Sequence, residues 1–282
     1  MHMTEQMIAI RGINIHVEID GDEHLPAIVF LHGFTGSTAT WRDVMRRLHG
    51  KYRMIAIDLT GHGQTSVPEE AARYAMEEQT ADLEALFKLL ALDRFTLVGY
   101  SMGGRVALGY TVQYPKRVES LVLESASPGL KTEAERAVRR ESDRLLSARI
   151  TNEGLSKFVD FWEGIPLFHS QKALPEENRK LIRKERLGQR AEGLAGSLNG
   201  IGTGSQPSYW ESLKTILASV TLITGEIDGK FVTIAREMEH MFLSARHVTV
   251  PQAGHAVHVE KPEKFVTIIE EHMKSLDGGE IE

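Results

Sequence analysis

The octapeptide Val98-Gly99-Tyr100-Ser101-Met102-Gly103-Gly104-Arg105 constrains this chain more than any other stretch. Residues 95–98 before it form an apolar run with the character of a buried strand, and from Gly104 onward apolar residues recur at helical spacing. Ser101 therefore sits at a strand-to-helix bend. Gly99 and Gly103 flank it at G-x-S-x-G spacing, because so sharp a turn leaves no room for side chains on either side. The bend pushes the Ser101 hydroxyl into the open at the top of a sheet. It also aims the Met102 amide and the positive end of the following helix at the space in front of that hydroxyl, where a developing oxyanion would be stabilised. A glycine-rich turn with an incidental serine has the same local signature, so the rest of the chain must decide between the two.

Residues 7–10 and 13–19 read as two antiparallel edge strands joined at Arg11-Gly12. Residues 27–31 are apolar without alternation, as in a strand buried on both faces, and lead into His32-Gly33-Phe34. An H-G-x turn in this place lies beside the nucleophile turn in serine hydrolases of this layout, which makes the Phe34 amide a candidate second oxyanion donor and His32 a structural turn residue. A helix over 41–48, a strand over 53–57 and an amphipathic helix over 76–90 follow. Asp58, which closes the second of these, precedes the serine and is expected to accept hydrogen bonds from loop amides. With a further strand over 118–124, the alternation predicts a parallel sheet with helices on both faces.

After Ser127-Pro128-Gly129 the pattern changes. From Lys131 to about Gly204 there are helical periodicities, over 134–150, 153–162 and 175–189, and no convincing strand. Strands then resume over 220–224 and 246–250, with helices over 231–242 and 262–276. The expected organisation is one core, residues 1–128 and 205–282, interrupted by a helical lid at 129–204. Charge marks the same division. The whole chain has a formal charge of −6, which argues against nucleic acid as a partner, yet residues 131–200 hold 14 Lys/Arg against 11 Asp/Glu. Either this is a solvated helix face or the lid covers a site for an anion. The chain has no cysteine and no run of membrane-spanning length. Met1-His2-Met3 reads as a remnant ahead of the native start, and the cytoplasm is the expected location.

The strand over 220–224 runs into Gly225-Glu226-Ile227-Asp228, and that over 246–250 into Gly254-His255. Ser101, Asp228 and His255 thus each lie just past the carboxyl end of a strand, in the chain order of an α/β-hydrolase triad. His255 would take the serine proton, and Asp228 would hold the imidazole in the right tautomer. Glu226 is the alternative acid. His258 lies three residues from His255, but no third ligand stands near enough in sequence to suggest a metal, and nothing calls for a cofactor. Gly200-Ile201-Gly202-Thr203-Gly204 lacks the apolar strand that a dinucleotide loop would follow.

The whole chain resembles the α/β-hydrolase superfamily, and several segments narrow the resemblance. These are Gly99 to Arg105, Pro128-Gly129-Leu130, residues 139–143, Gly202-Thr203-Gly204-Ser205-Gln206-Pro207-Ser208-Tyr209-Trp210, Gly225 to Phe231 and Gly254-His255-Ala256-Val257-His258. They are similar to those of the 2-succinyl-6-hydroxy-2,4-cyclohexadiene-1-carboxylate synthases of menaquinone biosynthesis. The resemblance implies elimination of pyruvate from an enolpyruvyl cyclohexene carrying a succinyl chain, with Ser101 as the base and no acyl-enzyme. It also implies that Arg105, Arg139 and Arg186 hold substrate carboxylates, with Tyr100 and Trp162 beside them.

The residues support this independently at one point. Arg105 stands in the first turn of the helix behind Ser101, where the helix dipole disfavours a cation, so something anionic must compensate it. An internal ion pair, for instance with Glu124, is one solution and a substrate carboxylate is the other. A carboxylesterase or carbon–carbon bond hydrolase would use the same triad under a more apolar lid, and a non-catalytic ligand receptor on this fold also remains open. The expected partner is a small polyanion, without nucleic acid or membrane, on a monomer or small homo-oligomer.

Overall fold

A computed structural model describes residues 3–277; Met1 and His2 of the expected remnant lie outside the described residues. Eight strands form one sheet: β1 (Thr4–Ile10), β2 (Ile13–Asp20), β3 (Ala27–Leu31), β4 (Arg53–Ile57), β5 (Phe95–Tyr100), β6 (Val118–Glu124), β7 (Ser219–Gly225) and β8 (Ala245–Val250). Their order is β1-β2-β4-β3-β5-β6-β7-β8. β2 runs antiparallel to β1 and β4, while β3 to β8 are parallel. β5, the strand that delivers Ser101, therefore lies in the middle of the sheet, flanked by β3 and β6.

The unbroken apolar runs are explained by burial on both faces. Along β3, Val29 and Leu31 enter the core under α2 (Met76–Leu89), α3 (Met102–Gln113) and α8 (Gly229–Met241). The alternate residues Ile28 and Phe30 enter a second core under α1 (Arg42–Leu48) and α10 (Pro262–Asp277), against Trp41 and Phe265. Arg11, between the edge strands, sits at φ 44° beside Gly12 at φ 88°, which is the tight connection predicted there.

The lid comprises α4 (Glu133–Glu153), α5 (Leu155–Glu163), a 3₁₀ segment (Pro166–Ala173), α6 (Glu176–Leu187) and α7 (Ala191–Ile201). α4 begins one residue earlier than its apolar pattern suggests because Thr132 and Glu135 form a reciprocal capping box. α7 is absent from the reading of the sequence. Its three glycines each cost about 1 kcal/mol of helix propensity, but Gly196 and Gly200 let the helix lie directly against Tyr74, where a Cβ would clash. Tertiary packing thus overrides propensity. Ile150, Phe158, Val159, Leu194 and Leu198 give the lid its own core, and Phe34 packs against both this cluster and the main one. Among the described residues no helix is long and apolar enough to cross a membrane.

Several histidines are buried, and this gives stability a pH dependence. Burial, reinforced by the charge of His32, lowers His62 to about 3, while burial and Arg246 lower His272 to about 4. His32 is lowered too, chiefly by burial, whereas His16 is raised, chiefly by its hydrogen bond to Asp58. An unfolded histidine protonates near ~6.5. Between that pH and the depressed folded values, the unfolded chain binds protons that the folded chain excludes, so stability falls as pH drops; His16 works in the opposite sense. Urea unfolding at pH 7, 6 and 5 is expected to show this decline. His62→Gln with His272→Gln should flatten it by at most about 1.4 kcal/mol per pH unit for each ring, and an unchanged slope would place the effect elsewhere.

Candidate active site

Ser101 adopts φ 51°, ψ −106°, a conformation L residues rarely hold, at the junction of β5 and α3. Its amide donates to the Glu124 carbonyl (2.8 Å), and its carbonyl accepts from the Arg105 amide (3.1 Å). Packing locks this turn. A Cβ on Gly99 would meet Gly104 Cα at 2.5 Å, and one on Gly103 would collide with the Leu31 carbonyl. The G-x-S-x-G spacing is thus enforced by backbone contact between the bend, the following helix and β3.

His255 Nε2 lies 2.9 Å from Ser101 Oγ, and its Nδ1 lies 2.6 Å from Asp228 Oδ2. Asp228 caps α8, its other oxygen accepting from the Phe231 amide at 3.4 Å, so the start of the helix also fixes the orientation of the carboxylate. The His255 ring is buried against Phe231, Tyr100 and Phe168, with centroids at 4.7, 5.4 and 6.1 Å. Glu226, the alternative acid, is exposed and accepts from the Gln252 amide. The arrangement can take a proton through Ser101 and His255 and hold the imidazolium against Asp228.

Above the triad is a cavity of about 220 Å³, walled by core and lid. Phe34, Tyr100, Met102, Arg105, Arg139 and Trp162 all contribute to it. As the first residue of α3, Met102 has an amide for which the helix supplies no acceptor. Trp162 stacks with Phe158 and meets Phe34 edge-on, and its indole N–H is buried without a partner among the described residues. Arg105 keeps part of its surface open to this cavity; burial, then repulsion from Arg139, lowers it to about 10, so it stays charged at neutral pH. It donates to the Ile201 carbonyl (2.5 Å) and to the Gln206 side chain, and among the described residues it forms no ion pair with a carboxylate. Glu124, the internal partner considered for it, instead binds the His258 ring and amide (2.8 and 3.0 Å). Thr40 meets the other ring nitrogen of His258 at 2.8 Å, which leaves neither nitrogen for a metal.

Arg186, the third arginine of the implied site, is not among the residues that line this cavity. Its guanidinium stacks over Phe168 at 4.7 Å, donates to Gln171 and pairs with Glu163 at 3.4 Å, so its contacts are with the ring that packs on His255 and with lid side chains. Most of the lid's other cations are engaged in surface ion pairs: Arg136 and Arg140 with Glu133, Arg144 with Glu141, Arg183 with Asp160 and Glu163. The positive excess is therefore largely a solvated face, and Arg139, paired with Asp143 at 2.8 Å, is the lid cation that reaches the cavity. Among the wall residues absent from the sequence-based site are Lys230 and Ser125. Both follow the carboxyl ends of central strands, the rim where open α/β sheets bind ligands, and that position was the available signal.

The family model for the alpha/beta hydrolase fold matches residues 26–262. Over 265 residues, 94% of this chain and 96% of the relative, the chain is 46% identical to a Bacillus subtilis (strain 168) protein provisionally named 2-succinyl-6-hydroxy-2,4-cyclohexadiene-1-carboxylate synthase. A protein of that name from Enterobacter sp. (strain 638) is 33% identical over 242 residues, 86% of this chain and 89% of its own. The solved structure of MenH from S. aureus superposes with a TM-score of 0.89 at 34% identity, covering 94% of this chain and 99% of that one. An enol-lactonase from Burkholderia xenovorans LB400, at 20% identity and a TM-score of 0.83, shares the fold. With the triad geometry, this coverage means that the chain belongs to the α/β-hydrolase family and, within it, to the 2-succinyl-6-hydroxy-2,4-cyclohexadiene-1-carboxylate synthases of menaquinone biosynthesis.

Proposed function

We propose that Ser101 is the base of a pyruvate elimination from 2-succinyl-5-enolpyruvyl-6-hydroxy-3-cyclohexene-1-carboxylate. The single observation that supports this most is Arg105, a cation lodged beside the triad whose hydrogen bonds go to neutral acceptors, with Asp143 acting on it only at longer range. A buried cation compensated only at long range is costly, so the wall is suited to an anion. The substrate has three carboxylates, on the ring, the succinyl arm and the enolpyruvyl group, and Arg105, Arg139 and Lys230 provide three cations around one cavity. A neutral ester has no use for them.

The chemistry follows from the substrate's connectivity. The hydrogen on ring carbon 2 is acidified twice, by the adjacent succinyl ketone and by the neighbouring double bond. Ser101 Oγ takes this proton as its own passes to His255 Nε2. The electron pair released at carbon 2 is delocalised onto the ketone oxygen, where the Phe34 and Met102 amides would receive the charge. Re-forming the ketone drives that pair into a carbon 2–carbon 3 double bond, the original double bond shifts to carbons 4 and 5, and the carbon 5–oxygen bond breaks. Protonated His255 returns a proton to the departing enolpyruvate, which tautomerises to pyruvate. The ring is left as the 2,4-diene, with no water consumed and no acyl-enzyme formed.

Pyruvate release from this substrate, followed with a coupled dehydrogenase, tests the reaction. Ser101→Ala should lower kcat by ~10³-fold or more while folding normally; a loss under tenfold would remove Ser101 from the role of base. Intact mass during turnover should show no serine adduct, and a stoichiometric adduct would favour the hydrolase reading instead.

The cation wall is tested separately. Arg105→Ala should reduce kcat/KM by about 2 to 4 kcal/mol in transition-state terms, the worth of a desolvated charge-assisted pair, and Arg105→Lys should recover little because a point charge cannot replace a bidentate fork. Lys230→Ala, at the exposed mouth of the cavity, should act mainly on KM and in a salt-sensitive way. A gain in kcat/KM on removing either cation would refute the polyanion reading of the wall.

A further inference from the structure

Ser125, the first residue after β6, combines two features that ordinary packing does not explain. It is fully buried in the wall of the catalytic cavity, and its hydroxyl has no hydrogen-bond partner among the described residues. Its backbone is in the left-handed region, φ 47°, where a residue with a Cβ is strained and glycine would be at ease. A buried hydroxyl without a partner destabilises the fold, and so does the strain. Glycine would remove both, so the serine has a use outside folding.

The position narrows that use. β6 lies between β5, which delivers Ser101, and β7, which leads to Asp228. The Ser101 amide is held by the Glu124 carbonyl and the Ser125 amide by the Ile223 carbonyl, so the two serines stand at adjacent strand ends under the same cavity. Of the other hydroxyls of this wall, Ser127 accepts from the Gly129 amide, Ser197 contacts Met102 Sδ, and those of Tyr100 and Thr203 belong to residues that keep some exposure; Ser125 is the wall hydroxyl that is fully buried without a partner among the described residues. In the elimination proposed above, the three cations would take the carboxylates and the backbone amides of Phe34 and Met102 the ketone oxygen. What remains on the substrate ring is a neutral hydroxyl, which both donates and accepts, and a serine hydroxyl is matched to it.

We propose that Ser125 Oγ hydrogen-bonds the ring hydroxyl of the substrate and so selects a hydroxylated cyclohexene carboxylate over its deoxy analogue. This inference rests on the elimination proposed above for the substrate's identity. A site built to pair a substrate hydroxyl rejects the analogue lacking it, because its own polar group is then left buried and unpaired.

The test uses Ser125→Ala and Ser125→Gly with three readouts. Both variants should lose about 10- to 100-fold in kcat/KM for pyruvate release, while their Tm stays at or above the wild-type value. Calorimetric titration with 2-hydroxycyclohexane-1-carboxylate and with cyclohexane-1-carboxylate should show the wild type preferring the hydroxy acid, and that preference should vanish in Ser125→Ala. Full activity in both variants would mean that the substrate does not use the hydroxyl, and a Tm that falls along with activity would make Ser125 structural; either result overturns the proposal. Absence of pyruvate release by the wild type would count against the proposed elimination alone. The probe pair would then still decide Ser125: a preference lost in Ser125→Ala supports it, and equal binding of both acids by the wild type overturns it.

Discussion

The left-handed conformation of Ser101 is the constraint on which the rest of the site depends. At φ 51° the residue is strained, and it is held there because the turn is pinned from three directions: Glu124 of β6 holds its amide, Gly103 touches the Leu31 carbonyl of β3, and Gly99 lies against the backbone of α3. Strain persists only where surrounding structure over-determines it. The central place of β5, between two parallel neighbours, supplies that surrounding structure. His255 and Asp228 need only reach the same edge of the sheet from β8 and β7, and two hydrogen bonds then complete a proton relay.

The buried polar groups below that edge divide into those that hold the scaffold and those left for a ligand. Glu124 is committed to His258, Asp58 to His16 and to the amides of Thr38 and Gln64, and His32 to the Leu59 amide. These bonds tie the turns at the strand ends to one another. The Trp162 indole and Ser125 have no partner among the described residues, and they line one cavity with Arg105, whose hydrogen bonds go to neutral acceptors. Since buried polar groups in folded proteins are almost always satisfied, such a cluster marks where a molecule other than the protein belongs. The lid closes this space through Phe34 and Trp162, aromatic rings that bridge its small core to the main one.

Much of this could be read from residue order alone, and the reason is local. A sharp strand-to-helix turn needs glycines at fixed offsets from Ser101, and strands buried on both faces need unbroken apolar runs such as 27–31. Each is a requirement that a few neighbouring residues satisfy among themselves. α7 escaped that reading because its glycines oppose helix formation until Tyr74 is packed against them. The role of Gln206 as an acceptor for Arg105, 101 residues away, likewise has no local signature.

The sequence by itself determined the fold class, the order of the strands and the place of the nucleophile turn, since periodicity and turn chemistry act over a few residues. Only the tertiary structure decided which cations face the cavity. Arg105, Arg139, Lys230 and Arg186 carry the same charge in the sequence, and their separation into three that line the cavity and one stacked over Phe168 depends on how the lid helices pack. Charge is a property of the residue, whereas its availability to a ligand depends on which carboxylates, rings and carbonyls the fold brings beside it.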